Sequence, residues 1–356
     1  MKILCIIIST IFFLMGCESK NKNRKINYLS DSNVKDYKFY NGIFVDAHSQ
    51  FGPLISIDEV SEKINEVNVD LTLLSFRKRK GLHRIFLKID KLTNNKVRYL
   101  IPTKLAGFTR GAPVNKVIGI IKKLKRNADK SNINYVGYGE IIIQHAPHDH
   151  KRLKYAGMNL DLNSERISKA IDIVIKDNKP VILHVELNDF ESDSKKILNQ
   201  IITLGNENPN NIFLLIHMAQ VEFSEAELIL NNTKNVHFIT SHSGNEAQNW
   251  AKRNKQRISV GKKPYSQHGW INLFNENDKI KTKWQRLMNE NPKRFVLALD
   301  NVFVHQWMEG YKERVLMWRK ALASLERATA NSIACQNANQ YFQLNISCET
   351  GSSHNF

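Results

Sequence analysis

Six residues of a kind that binds metals or moves protons fall at the ends of short apolar runs. His48 and Gln50 end one run, Glu140 lies in a second, and His184 and His217 end two more; Asp300 ends the last. A further run ends in Ser241 and His242. Buried carboxylates and imidazoles are unfavourable without partners. One shared divalent cation satisfies several of them together. Imidazole nitrogen and carboxylate oxygen suit Zn²⁺, and also Mn²⁺ or Fe²⁺. In the stretch FVDAHSQFGP from Phe44 to Pro53, side chains alternate along a strand, so His48 and Gln50 point the same way. Two histidines there would be a familiar pair of ligands; here glutamine takes the second place.

The elements that carry these residues read as buried strands. Runs rich in Val, Ile, Leu and Phe lie at 43–48, 69–76, 97–102, 135–142, 180–186, 212–218, 236–242 and 295–300. Amphipathic helical patterns fall between most of them, at 114–125, 164–177, 192–204 and 224–230, with N-caps expected at Ser56, Asn163 and Ser224. Eight strands alternating with helices predict an α/β chain folded as a (β/α)8 TIM-like barrel. A doubly wound open sheet is the alternative, but no Gly-rich nucleotide loop follows the first strand. The 356 residues, 42% hydrophobic, suffice for such a barrel, which takes about 250. In that fold an active site sits at the carboxyl ends of the strands.

The N-terminus reads differently. Lys2 precedes an apolar run too short for an ordinary membrane span, and the run ends in Leu14-Met15-Gly16-Cys17. This resembles a bacterial lipobox, which implies a signal peptide over 1–16, lipidation of Cys17, and a polar tether over 17–40. The expected location is the cell envelope, anchored to a membrane through lipid, with the outer membrane favoured because Glu18 is not an inner-membrane retention aspartate. The formal charge of +18 is scattered over helix faces, and export argues against a nucleic-acid partner. Cys335 and Cys348 are left in a compartment that permits disulfides, either paired or free.

At the level of motifs the chain, over 41–345, resembles the amidohydrolase superfamily, in its amidohydrolase-related branch of decarboxylases and lactonases. Asp46-Ala47-His48-Ser49-Gln50 resembles the first-strand D-x-H-x-H motif, and Gly139-Glu140-Ile141 a fourth-strand GE element. His184 and His217 stand as that family's fifth- and sixth-strand histidines. Trp284 to Leu287 and Pro292 to Asp300 resemble its W-x-x-L…P-x-R-F-x-x-G-x-D signature, and 333–342 its closing helix, ahead of a tail at 346–356. The resemblance implies a metal-dependent hydrolase that activates water against C–N or C–O bonds, of amide or lactone type, in a small molecule. Zinc is the expected metal, with Mn or Fe as alternatives. The implied ligands are His48, Gln50, Glu140, His184, His217 and Asp300. Asp300 would accept the water's proton, and His217 would ligate or polarise the substrate carbonyl. Two residues depart from the pattern: Gln50 stands for the second histidine and Ala298 for a glycine. A neutral glutamine oxygen is a weaker zinc ligand, so the sequence also admits a metal-free binding lipoprotein; a decarboxylase of the same fold is the other alternative.

Outlying residues complete the reading. Glu186, two residues past His184, is expected to orient a neighbour. His242 and Trp270 are candidate substrate contacts, and His305 reads as incidental. The basic segment 244–283, which carries Trp250, Lys252, Arg253 and His268, is long enough to cover the barrel mouth and favour an anionic substrate. His145, His148 and His150 look like a second metal cluster close to Glu140, but the favoured reading is surface histidines.

Overall fold

A computed structural model describes residues 39–349 except 53, 78–80, 107–111, 151–152, 156, 245–258 and 260–269. Cys17, Trp250, Lys252, Arg253 and His268 lie outside the described residues, as do the signal and tether up to residue 38 and the tail from 350.

The apolar runs form parallel strands: β1 Val45–Phe51, β2 Leu71–Phe76 and β3 Val97–Ile101. The fourth, β4, consists of Tyr135–Tyr138 and Ile141–Ile142, joined through Gly139 and Glu140. β5 Val181–His184, β6 Phe213–Ile216, β7 Val236–Ile239 and β8 Phe295–Val296 follow. Each pairs in parallel with its sequence neighbour. Beyond β8 the chain returns to β1. Ala47 N donates to Leu297 O at 3.0 Å, Asp300 N to His48 O at 2.8 Å and Gln50 N to Asn301 O at 2.7 Å, so the ring of strands closes. This is the expected (β/α)8 barrel.

Both strand faces are buried, which explains the continuous apolar runs. Inward side chains such as Val45, Ala47, Leu73, Leu100, Val136, Ile182, Leu214, Ile239, Val296 and Ala298 form one core. Ala298 faces this interior and is fully buried. The chain end plugs the same core with Ala338, Tyr341, Phe342 and Leu344. Asn337 holds the plug in place, donating to Pro292 O at 2.8 Å and Phe295 O at 2.7 Å, where β8 begins. Cys335 and Cys348 are joined by a disulfide, with Cα atoms 5.7 Å apart, and belong to this core.

The outward strand faces meet helices α1 Ile57–Glu66, α2 Leu82–Leu92, α3 Val114–Lys130, α4 Glu165–Lys176, α5 Glu191–Glu207, α6 Phe223–Asn232 and α7 Thr282–Glu290. Ser56 caps α1 as expected, in a reciprocal box with Glu59. Two expected caps shift by one or two residues. Asn163 turns its backbone to Asp161 and leaves Ser164 at the start of α4. α6 begins ahead of Ser224, because the Glu225 carboxylate accepts from Glu222 N at 2.8 Å. α3 runs to Lys130, past the expected 125.

The signature residues near the end of the chain have structural explanations. Trp284 and Leu287 are the buried stripe of α7. Arg294 donates to Val236 O at 3.0 Å, Thr233 O at 2.8 Å and Thr233 Oγ1 at 3.0 Å, which ties the start of β8 to the start of β7. Among the described residues no helix is long and apolar enough to cross a membrane.

Candidate active site

The tips of β1 and β8 are locked together by the buried acid Asp46. Asp46 Oδ1 accepts from Leu299 N at 2.9 Å, and Oδ2 accepts from Ser49 Oγ at 2.6 Å. Burial pushes this carboxyl up to about 6, against these hydrogen bonds and that from His48 N, which favour the anion. The β1–β2 register shifts between Asp46 and Ser49. His48 and Gln50 then both reach Asp300: His48 Nδ1 lies 3.1 Å from Asp300 Oδ1, and Gln50 Nε2 donates to the same oxygen at 2.9 Å.

One side of the site is a chain of protein charges. Gln50 Nε2 also donates to Glu140 Oε1 at 3.0 Å, and Lys104 Nζ donates to that oxygen at 2.7 Å. Glu140 Oε2 meets His184 Nδ1, and His184 Nε2 lies 2.9 Å from Glu186 Oε1. Burial opposes charge on His184, but the carboxylates on its two nitrogens outweigh burial and lift it to about 9. Glu140 is likewise buried, and Lys104 and His184 hold it well below the usual carboxylate range. His145 stacks on His184 with ring centroids 4.8 Å apart and planes 10° apart.

The opposite side is built from β6, β7 and β8. His217 Nε2 lies 3.6 Å, and His242 Nε2 3.4 Å, from Asp300 Oδ2. His217 Nδ1 faces Ser241, at 3.0 Å from Oγ and 3.4 Å from the carbonyl oxygen. Trp270 lies flat on His242, with centroids 4.4 Å apart and planes 8° apart, and 6.2 Å from His217. Burial, reinforced by His242 and His184, depresses His217 well below the usual imidazole range, so it is neutral. Asp300 stays ionised because His242 and His48 overcome its burial.

The structure therefore brings together His48, Gln50, Glu140, His184, His217, His242, Trp270 and Asp300. Two expectations need correction. Gln50 was expected to offer an oxygen to a cation, but it directs its amide nitrogen at two carboxylates, because only a donor satisfies both. His145 was expected at the surface, yet it is buried on His184 and donates to Ala146 O at 2.9 Å. His148 and His150 lie in a strand paired with Leu153–Tyr155. His305 stacks on Phe303. Lys104 was missed. Its signal was its place just past the apolar run of β3, the same kind of strand-tip position that marked the histidines.

Known structures share the fold. A dihydroorotase from Saccharomyces cerevisiae, solved with 5-fluoroorotic acid, superposes with a TM-score of 0.51 at 12% identity, covering 85% of each chain. A second dihydroorotase gives 0.50 at 10% identity, over 85% of this chain and 70% of that one. The chain shares their fold. No family model matches the sequence, and no curated protein matches it either.

Proposed function

We propose that the chain is a metal-dependent hydrolase of the amidohydrolase superfamily, cleaving amide or lactone bonds of a small molecule. The observation that carries this reading is the convergence of His48, Glu140, His184, His217, His242 and Asp300, all buried, at the carboxyl ends of barrel strands. The donor set fits a divalent cation. Among the described residues, His48 Nε2 and His242 Nδ1 are buried without a hydrogen-bond partner, and three groups of His, Glu and Asp bring their donor atoms within 4.8 Å of one another. Imidazole and carboxylate donors favour zinc, then manganese or iron. When bound, such a cation supplies Lewis acidity towards a carbonyl and towards water.

The chain's own residues supply the rest. Ionised Asp300 accepts a proton at a carboxylate oxygen and returns it to the leaving group. His48 Nδ1 and Gln50 Nε2 fix its orientation. Trp270 forms a flat wall against which a substrate ring or acyl plane lies. Protein stripped with a chelator and resupplied with Zn²⁺, Mn²⁺ or Fe²⁺ is expected to hydrolyse members of a lactone and amide panel only with metal present. A protein that takes up no metal and hydrolyses nothing would end this reading. Carbon dioxide release without hydrolysis would replace it with decarboxylation.

We also propose that the barrel is exported and anchored to a membrane of the bacterial envelope by lipid on Cys17. The disulfide between Cys335 and Cys348 supports export, since such bonds persist in oxidising compartments. Cys17→Ser is expected to move the protein from the membrane pellet to the soluble fraction. A variant that stays in the pellet as the native protein does would refute the anchor.

A further inference from the structure

Resting on the metal-dependent reading, we propose that the site holds a single cation in the corner formed by His217, His242 and Asp300, while Lys104 and Gln50 hold the Glu140–His184 side as a protein-only network. Two independent features carry this. The first is how the donor atoms are used. On the Glu140 side every donor is already engaged: Oε1 receives Lys104 at 2.7 Å and Gln50 at 3.0 Å, Oε2 meets His184 Nδ1, and His184 Nε2 is 2.9 Å from Glu186. A cation there would have to displace a lysine ammonium and separate a histidine from two carboxylates. The His217 corner is different. With Nδ1 donating to the Ser241 carbonyl, His217 presents the lone pair of Nε2 to Asp300 Oδ2 at 3.6 Å. His242 Nε2 faces the same oxygen at 3.4 Å. Two nitrogens and one oxygen thus face a common space, and among the described residues no other donor is bonded to them. Two imidazoles and a carboxylate are a recurrent set for zinc and for iron(II).

The second feature is the backbone. His217, His242 and Asp300 have φ of 55°, 56° and 47°. These are left-handed conformations that non-glycine residues adopt rarely and at a cost of about 1–3 kcal/mol each. None of the residues on the Glu140 side has one. His217 opens a left-handed run that continues through Met218, Ala219 and Gln220, while His242 and Asp300 stand singly; three strand ends that carry such backbone converge on one point. On this assignment His242, expected from sequence to touch substrate, is a ligand. His48 and Ser241 become its orienting partners, holding Asp300 and His217 from behind.

The test uses zinc alone and the wild-type barrel first. Titration of chelator-stripped protein is expected to saturate at one equivalent, and anomalous diffraction from zinc-soaked crystals to show one peak between His217, His242 and Asp300. His242→Ala is expected to weaken zinc binding beyond the roughly 10–100-fold that loss of an orienting partner costs, and Glu140→Gln to stay within that range. A peak between Glu140 and His184, or a second equivalent, would overturn the assignment while leaving a metal-dependent enzyme. No zinc uptake by the wild type would overturn both readings. The diffraction result stands even if a variant fails to fold.

Discussion

Asp300→Asn is expected to lower turnover by about 10²–10⁴-fold, the range for loss of a general base, while leaving the barrel folded. The substitution isolates charge from shape. Asn is among the residues that best tolerate a left-handed backbone, so the φ of 47° at position 300 is kept. The amide oxygen can still accept from His48 Nδ1 and Gln50 Nε2, as Oδ1 does now. The amide nitrogen would then face His217 and His242, where Oδ2 lies at 3.6 and 3.4 Å, and donate where an anion stood. What is lost is the negative charge that accepts the proton and attracts a cation. Zinc retention should therefore fall together with rate, and thermal unfolding without metal should change little. Full activity in the variant on any substrate found would reject both roles for Asp300.

The parts of this molecule that could be read from sequence are those set by composition along the chain. Strands buried on both faces must be apolar throughout, so each of the eight appears as a short Val, Ile, Leu and Phe run, and the polar residue ending it stands out. His48, Glu140, His184, His217, His242 and Asp300 were visible for that reason. The parts that could not be read depend on neighbours distant in sequence. The amide of Gln50 is oriented by Glu140, 90 residues away, and Asp300, 250 away, and nothing local distinguishes its nitrogen from its oxygen. His145 follows a strand in a polar, histidine-rich stretch that reads as surface; its stacking on His184, distant in sequence, could not be read there. Lys104 looked like one more of many lysines until Glu140 came within 2.7 Å. Helix starts slipped where two capping residues compete, as Asn163 and Ser164 do.

The same amide gives the sharpest test of the protein-only side of the site. Gln50→Glu should destabilise the fold by about 3–5 kcal/mol at neutral pH, the scale for leaving a buried charge uncompensated. Gln50 is 3% exposed, and its nitrogen lies 3.0 Å from Glu140 and 2.9 Å from Asp300, so the new carboxylate would be the third at one point. Among the described residues Lys104 is the one lysine bonded there, and it already serves Glu140. Burial and like charge both raise the folded-state pKa of the introduced acid. A raised acid pKa means that the folded protein binds the proton more tightly than the unfolded chain does. The penalty is therefore full above the folded pKa and shrinks as pH falls, when the protonated acid can again donate as the amide did. Melting temperatures of variant and wild type, compared at about pH 8 and about pH 5, should converge on the acid side. Zinc should also raise the variant's melting temperature more than that of the wild type, because the third carboxylate makes the Glu140 side a place where a cation gains. A deficit that does not change with pH would mean that the cost is steric, and no deficit would mean that the amide does not hold the two carboxylates apart.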